Sequence, residues 1–207
     1  MARGRTTSRR GKGAPASTRE AILAAAEGIL ARGGEAALSI RELCARVGVT
    51  APTIYHHFGD KDGLVAEVVG ACFAEFDRAL AAGPTPADPV EALAWGFERY
   101  VAYGVAHPAP YRLLFERRLE KPTPSAVAAY GRLERSIAAI EAAGRLTVPV
   151  TEAAPAVWAA VHGVTMLVIA GFFAATAPAV RHVRDALIAQ LTIPAPRARV
   201  ATRGGSR

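Results

Sequence analysis

Twelve residues, "TAPTIYHHFGDK" from Thr50 to Lys61, gather two threonines, a proline, a tyrosine, two histidines and a lysine in a chain otherwise rich in alanine. Short hydroxyls, the Ala51 methyl and the hydrogen-bonding rings of Tyr55 and His56 are groups that meet the phosphate oxygens and base edges of duplex DNA. Lys61 adds a cation at the start of a helix, where phosphate also binds. Metal ligation is the competing chemistry for His56 and His57. Adjacent residues on a helix project about 100° apart, and no Cys or second carboxylate accompanies them at ligand spacing, so no metal is expected. Further on, His162 sits in a run without a charge from Ala153 to Val180. It reads either as a buried imidazole that orients its helix or as a ligand-binding group. The chain contains no G-x-S-x-G elbow, no Walker loop, no G-x-G-x-x-G and no paired-carboxylate motif. Catalysis and a cofactor are therefore not expected.

The elements that must position these groups are helices. Ser17 with Glu20, and Ser39 with Glu42, fit the S-x-x-E capping box and fix two helix starts. The first helix is expected from Thr18 to Arg32, with Ile22, Ala26, Ile29 and Leu30 inward and Gly33-Gly34 ending it. A second runs from Ile40 to Val47 with Ile40, Leu43, Cys44 and Val47 inward, and Gly48 supplies the turn. Thr50 caps a third, short helix in which Ile54 and Phe58 face inward and Pro52 occupies the first turn. Asp60 caps a fourth helix reaching Ala82, and "GPTPADP", 83–89, is a linker. Five more helical stretches are expected over 88–106, 108–118, 123–144, 151–175 and 178–191. With no period-2 alternation, the fold class is all-α.

Charge is segregated. Six of the basic residues (Arg3, Arg5, Arg9, Arg10, Lys12, Arg19) precede the first acid, and Arg197, Arg199, Arg203 and Arg207 lie at the far end. Taking those ten from the net charge of +7 leaves −3 for 20–196. A basic arm beside a folded domain suits nucleic acid, because Lys and Arg release counterions from phosphate; the far tail reads equally as a solubilising segment. Two cysteines are too few for a disulfide framework, which favours a reduced, cytoplasmic setting. The uncharged run is long enough to span a bilayer. Pro155 and Pro178, the central His162 and Thr165, and its Ala and Gly content favour instead a core or interface helix, and no membrane association is expected.

Helix, glycine turn, short helix is the helix-turn-helix arrangement. The segment "LSIRELCARVGVTAPTIYHHFGDKDGLV", Leu38 to Val65, closely resembles the DNA-binding motif of the TetR family of bacterial transcriptional repressors, with the Gly-Val turn, the Thr-Ile-Tyr-His-His-Phe run and the following Lys in order. The resemblance spans 18–66 and implies a homodimer that reads a palindromic operator and is released by a small-molecule effector. By position, Arg41 would lie near the DNA, Thr50, Ala51, Pro52 and Thr53 toward bases, and Tyr55, His56 and Lys61 toward phosphates. It implies four parts: a disordered basic arm, 1–17; the helix-turn-helix domain, 18–66; a helical ligand-binding and dimerisation domain, 67–193, joined to it by a connecting helix; and a disordered basic tail, 194–207.

"HPAPYRLLFE" (His107 to Glu116) with "WAAVHG" (Trp158 to Gly163) resembles the TetR subgroup named for its Trp-His-Gly signature. Trp95, Tyr103, Tyr111, Trp158 and His162 are the expected ligand-binding residues. On the last long helix, Trp158, His162, Thr165, Ile169 and Phe172 form one stripe, expected to line the pocket. Val157, Ala160, Val164, Val168 and Gly171 form a smaller-residue stripe, expected to meet its copy in the dimer. Two other classes fit less of the chain. An architectural DNA-binding protein leaves the large apolar domain without a purpose, and a single-span membrane protein with a DNA-binding head needs the disfavoured span.

Overall fold

A computed structural model describes residues 17–116 and 122–194. The expected basic arm, up to residue 16, and the basic tail, from 195, lie outside the described residues. Among these residues the chain forms nine α-helices and one 3-10 turn, with a single isolated antiparallel bridge between Leu146 and Thr192. It divides into two compact units, Met1–Val68 and Val69–Arg207.

In the first unit, α1 (Thr18–Gly33) opens on a complete capping box: the Ser17 oxygen accepts from the Glu20 N–H and the Ser17 N–H donates to the Glu20 carboxylate at 2.8 Å. Helix α2 (Ile40–Val47) shows only the serine half, from Glu42 N–H to Ser39 Oγ at 3.4 Å. Gly48 closes it at φ 79°, ψ 33°, the left-handed region that glycine enters without Cβ strain. Helix α3 (Ala51–Phe58) follows α2 after three intervening residues, and α4 (Lys61–Ala81) follows α3 after two more. The core is Ile22, Ala26, Ile29 and Leu30 from α1, Leu43 from α2, Ile54 and Phe58 from α3, and Leu64, Val65 and Val68 from α4, with Leu38 between. Burying one such aliphatic side chain contributes about 1.5–3 kcal/mol. That gain holds an eight-residue helix such as α3, too short to persist alone. Of the four residues expected inward on α2, Leu43 is fully buried while Ile40, Cys44 and Val47 are half-buried.

The second unit holds the rest of α4 with α5 (Pro89–Ala106), α6 (Pro108–Glu116), α7 (Pro124–Ala142), α8 (Val150–Ile169) and α9 (Pro178–Leu191). Proline opens four of these helices, where its missing N–H has no helical partner to lose. The preceding side chain caps two of them: Asp88 accepts from Val90 and Glu91, and Thr123 from Ala126. Helix α8 packs on α5, α7 and α9. The core joins Leu93, Ile137, Ile140, Ala153, Ala154, Val157 and Leu191. At Gly104 a Cβ would stand 2.3 Å from the Thr165 methyl, so the absent side chain is what lets α5 approach α8. Thr165, fully buried there, donates its hydroxyl to the Val161 carbonyl at 2.7 Å.

Three expectations about α8 need correction. It runs over Val150–Ile169, stopping short of 175, because the chain leaves the helix at Ala170 and turns at Gly171, φ 82°. Pro155, which counts against an uninterrupted apolar span, does not break it: it sits inside the helix, where the bond it forfeits is to Thr151 in an exposed first turn. The smaller-residue stripe is not an outer face, since Val157 and Val164 are buried within the unit itself. Pro155, Ala159, Leu167 and Ala170 are exposed instead. Helix α8 is the one among the described residues long and apolar enough to cross a membrane, with mean hydropathy 1.4. Ala153, Ala154, Val157, Val161 and Val164 nevertheless face its neighbours in the core.

Candidate functional site

Helix α3 spends two side chains on anchoring and exposes the polar remainder. Ile54 and Phe58 lie in the core, while Thr50, Pro52, Tyr55 and His56 are exposed and Ala51 and Thr53 half-exposed. Arg41, at the start of α2, is also exposed. Thr50 occupies the cap position but makes no side-chain cap bond; its hydroxyl pairs with that of Thr53 at 3.0 Å. The expected cap is thus replaced by a hydroxyl pair at the tip of the helix. Lys61 begins α4 as expected, yet its ammonium donates to the Glu35 carbonyl at 3.3 Å and is half-buried. Asp60 accepts from the Gly63 N–H at 2.7 Å and so caps α4. Arg19 stacks over the Phe58 ring and pairs with Glu67 at 2.6 Å, which puts its charge to use inside the unit. The His56 and His57 rings meet edge to face, and no cluster of three metal-ligating side chains exists among the described residues. The face offers hydroxyls, ring donors and an exposed guanidinium, which suits phosphates and base edges.

The second unit holds a partly open cavity of about 1060 Å³. Its wall takes Val69, Phe73, Phe76 and Leu80 from α4, Trp95 and Tyr100 from α5, Tyr130 and Arg132 from α7, and Val157, Trp158 and Val161 from α8. Among the groups expected to bind ligand, Trp95 and Trp158 are in that wall. Tyr103, Tyr111 and His162 are not; they stand behind it, Tyr103 and Tyr111 buried and His162 half-buried. Tyr111 bridges two of these layers: its hydroxyl lies 3.1 Å from that of Tyr100 and 2.7 Å from His162 Nδ1. Burial pushes the Tyr100 phenol up to about 12, raises Tyr111 further, and lowers the His162 imidazole below its ordinary 6.5. All three are therefore neutral near pH 7. On the wall, Arg132 grips Asp77 with two bonds at 2.7 and 2.9 Å, and that pairing holds the Asp77 carboxyl below 3.8.

Comparison with known proteins agrees with both units. Residues 22–68 match the family described as bacterial regulatory proteins, tetR family, and residues 93–191 match the tetracyclin repressor-like C-terminal domain. The chain belongs to the TetR family. An HTH-type transcriptional repressor of Mycobacterium tuberculosis is 41% identical over 71 residues, covering 34% of this chain. A regulator of Mycobacterium bovis matches to the same extent. The chain spans 37% of the length of these curated relatives. Among solved structures, a protein of unknown function from Rhodococcus sp. RHA1 is similar with a TM-score of 0.71 and 24% identity, over 86% of this chain and 97% of that one. A TetR family transcription regulator from Marinobacter aquaeolei VT8 gives 0.66 and 18%, over 85% and 96%. These two establish the fold.

Within this TetR-family chain, sequence reasoning passed over most of the cavity wall. Phe73 and Phe76 lie on α4, which reads from sequence only as a connector, and Tyr130 lies on α7, which offers no motif. Tyr100, on α5 between Trp95 and Tyr103, is not among the expected ligand-binding residues. The available signal was spacing: Phe73, Phe76 and Leu80 share one face of α4, three and four residues apart.

Proposed function

We propose that this chain is a ligand-responsive, DNA-binding transcriptional regulator of the cytoplasm, a homodimeric repressor released from a palindromic operator by a small apolar or aromatic effector. The observation that carries the reading is α3: a short helix anchored by Ile54 and Phe58 with Thr50, Pro52, Tyr55 and His56 turned outward together. Its place within residues 22–68, which match the tetR family of bacterial regulatory proteins, supports it. Thr50, Ala51, Pro52 and Thr53 meet bases, Tyr55 and His56 meet phosphates, and Arg41 supports them. Lys61 reaches phosphate only by exchanging its carbonyl partner. Residues 18–66 form the DNA-binding part and 67–193 the ligand-binding and dimerisation part.

The dimer uses the outer face of α8 and its neighbour α9. Pro155, Ala159 and Leu167 on α8, with Ala179, Val183, Ala186 and Ile193 at α9 and its end, leave an apolar surface of mostly small side chains. Small side chains allow close helix approach, and a second copy of the same surface completes an isologous contact. Two recognition helices must then stand roughly 34 to 36 Å apart to enter successive major grooves. Helix α4 carries Lys61 at one end and Phe73, Phe76 and Leu80 of the cavity wall toward the other. An effector filling the cavity favours a conformation with the wrong spacing, and it must bind that state more tightly to do so.

Selection of bound fragments from random duplex DNA tests the reading. A palindrome with fixed half-site spacing is the expected result. Recovery of unrelated sequences at ordinary salt overturns it in favour of architectural binding.

A further inference from the structure

Three side chains lead from behind the cavity to its wall, and the direction of their protons can be followed. Tyr111, fully buried, donates its one hydroxyl proton to the Tyr100 oxygen at 3.1 Å. Its 2.7 Å contact with His162 Nδ1 then needs a proton from the imidazole, so His162 carries hydrogen on Nδ1 and donates it to the Tyr111 oxygen. Thr165, the other hydroxyl beside Tyr111, gives its proton to the Val161 carbonyl and does not compete. The Trp158 indole N–H, which can only donate, serves the Tyr100 oxygen from the cavity wall. Tyr100 therefore receives from two neighbours and still holds its own proton. Among the described residues nothing accepts that proton. Buried and set in the wall, the Tyr100 hydroxyl can give it only to what fills the cavity.

We propose that the His162–Tyr111–Tyr100 chain fixes the Tyr100 hydroxyl as a hydrogen-bond donor to the cavity, so that the site selects neutral, mostly apolar ligands bearing an acceptor, such as a carbonyl or ring nitrogen, over isosteres that can only donate. The proposal rests on the cavity being the effector site. A hydroxyl that accepts becomes the stronger donor, because successive bonds polarise one another. Left without a partner in an apolar wall, such a donor costs about 1–3 kcal/mol. Water supplies the partner in a solvated cavity, and a ligand that displaces the water must replace the bond or lose affinity. A ligand that only donates would need the chain to reverse, which requires His162 to give up its Nδ1 proton. Neutrality follows from the wall, where Arg132 is already paired with Asp77, and Arg135 is offset by Glu134. Phe73, Phe76, Trp95 and Val161 hold the apolar body of the ligand without orienting it.

Displacement of Nile red from the full chain tests this with 3-octylpyridine against 3-octylpyrrole, at pH 8 where the pyridine is neutral. The two are similar in size and polarity, but the first offers only an acceptor nitrogen and the second only a donor N–H. The expected result is that the pyridine displaces the dye at roughly 2- to 12-fold lower concentration, the range of one net hydrogen bond. Trp158→Phe, which removes the other donor in the wall, should keep that preference, and adding Tyr100→Phe to it should abolish it. Nitrogen NMR of the unaltered chain should find the His162 ring neutral and protonated on Nδ1, a signature that a merely structural role for His162 does not require. If a variant fails to fold by circular dichroism, the ranking and the tautomer in the unaltered chain still decide. Equal displacement by both compounds, a preference for the pyrrole, a preference that survives loss of Tyr100, or a proton on Nε2 overturns the donor assignment and leaves the cavity reading standing. Dye that does not bind at all removes both.

Discussion

Helix α3 and helix α8 both concentrate chemically capable side chains, and they use them in opposite ways. In α3 two residues face the core and the polar remainder is exposed, so its chemistry is directed at whatever approaches from solvent. Beyond the exposed first turn of α8 the polar groups are drawn inward: Thr165 is fully buried and His162 is bonded to a buried tyrosine, while Pro155, Ala159 and Leu167 are among the exposed residues. A helix eight residues long can display its polar groups because neighbours supply its stability. A twenty-residue helix at the centre of a domain must first satisfy packing on most of its circumference. Function on α3 is therefore a matter of surface, and function on α8 a matter of what the interior leaves empty.

The sharpest test of that contrast lies on α8 itself. Val164→Arg places a charge where the side chain is buried and should unfold the second unit, with a loss above about 4 kcal/mol in chemical denaturation. Ala159→Arg, on the exposed face of the same helix, should leave the fold intact and dissociate the proposed dimer in sedimentation. A folded Val164→Arg protein, or a dimeric Ala159→Arg protein, breaks the assignment of faces. On α3 the paired experiment is Ile54→Ala against Tyr55→Ala. The first should cost about 2–5 kcal/mol of stability. The second should leave stability within about 0.5 kcal/mol and weaken operator binding in a mobility-shift titration. Loss of stability in both would mean that Tyr55 is a packing residue after all.

Between the two helices stands the contact that sequence could not disclose. Gly104→Ala adds one methyl group where Thr165 already stands and should destabilise the second unit by about 1–3 kcal/mol in a urea midpoint measurement. Nothing about Gly104 in the sequence distinguishes it from Gly96, where an added Cβ meets nothing within 4 Å. The first unit was legible because its signals are local: Ser17 and Glu20 are three residues apart, Gly48 closes a turn, and the α3 motif is one continuous segment. The cavity was not, because its wall is assembled from α4, α5, α7 and α8, and each aromatic residue on those helices is equally plausible as core. Tyr111 shows the difficulty: an aromatic residue in the segment that accompanies the Trp-His-Gly signature suggests a ligand contact, yet it is the largest fully buried side chain among the described residues. Thr50 shows the converse failure at short range, since a residue of the right type at a cap position spends its hydroxyl on Thr53.

The smallest expected effect separates the two regions by pH. Burial lowers the His162 imidazole below 6.5, so on acidification the unfolded chain takes up that proton before the folded one does. Stability contributed by neutral His162 is therefore complete above about 6.5, the unfolded value, and declines as pH falls below it, until the folded imidazole also protonates. The Tyr111 hydroxyl, 2.7 Å from His162 Nδ1, donates to Tyr100 at 3.1 Å, and the physical cause of the His162 shift is burial, which disfavours the charged ring. Asp77 and Asp88, held below 3.8 by Arg132 and Arg145, behave in the usual carboxylate sense: their contributions persist above 3.8 and fade only as pH falls through their lower folded values. The two effects therefore occupy separate pH ranges. Urea midpoints between pH 7.5 and 5 should fall for the unaltered chain and fall less for His162→Phe, with the difference confined to the transition of the second unit. An equal decline in both would place the sensitive group elsewhere and would detach His162 from the hydrogen-bonded chain behind the cavity.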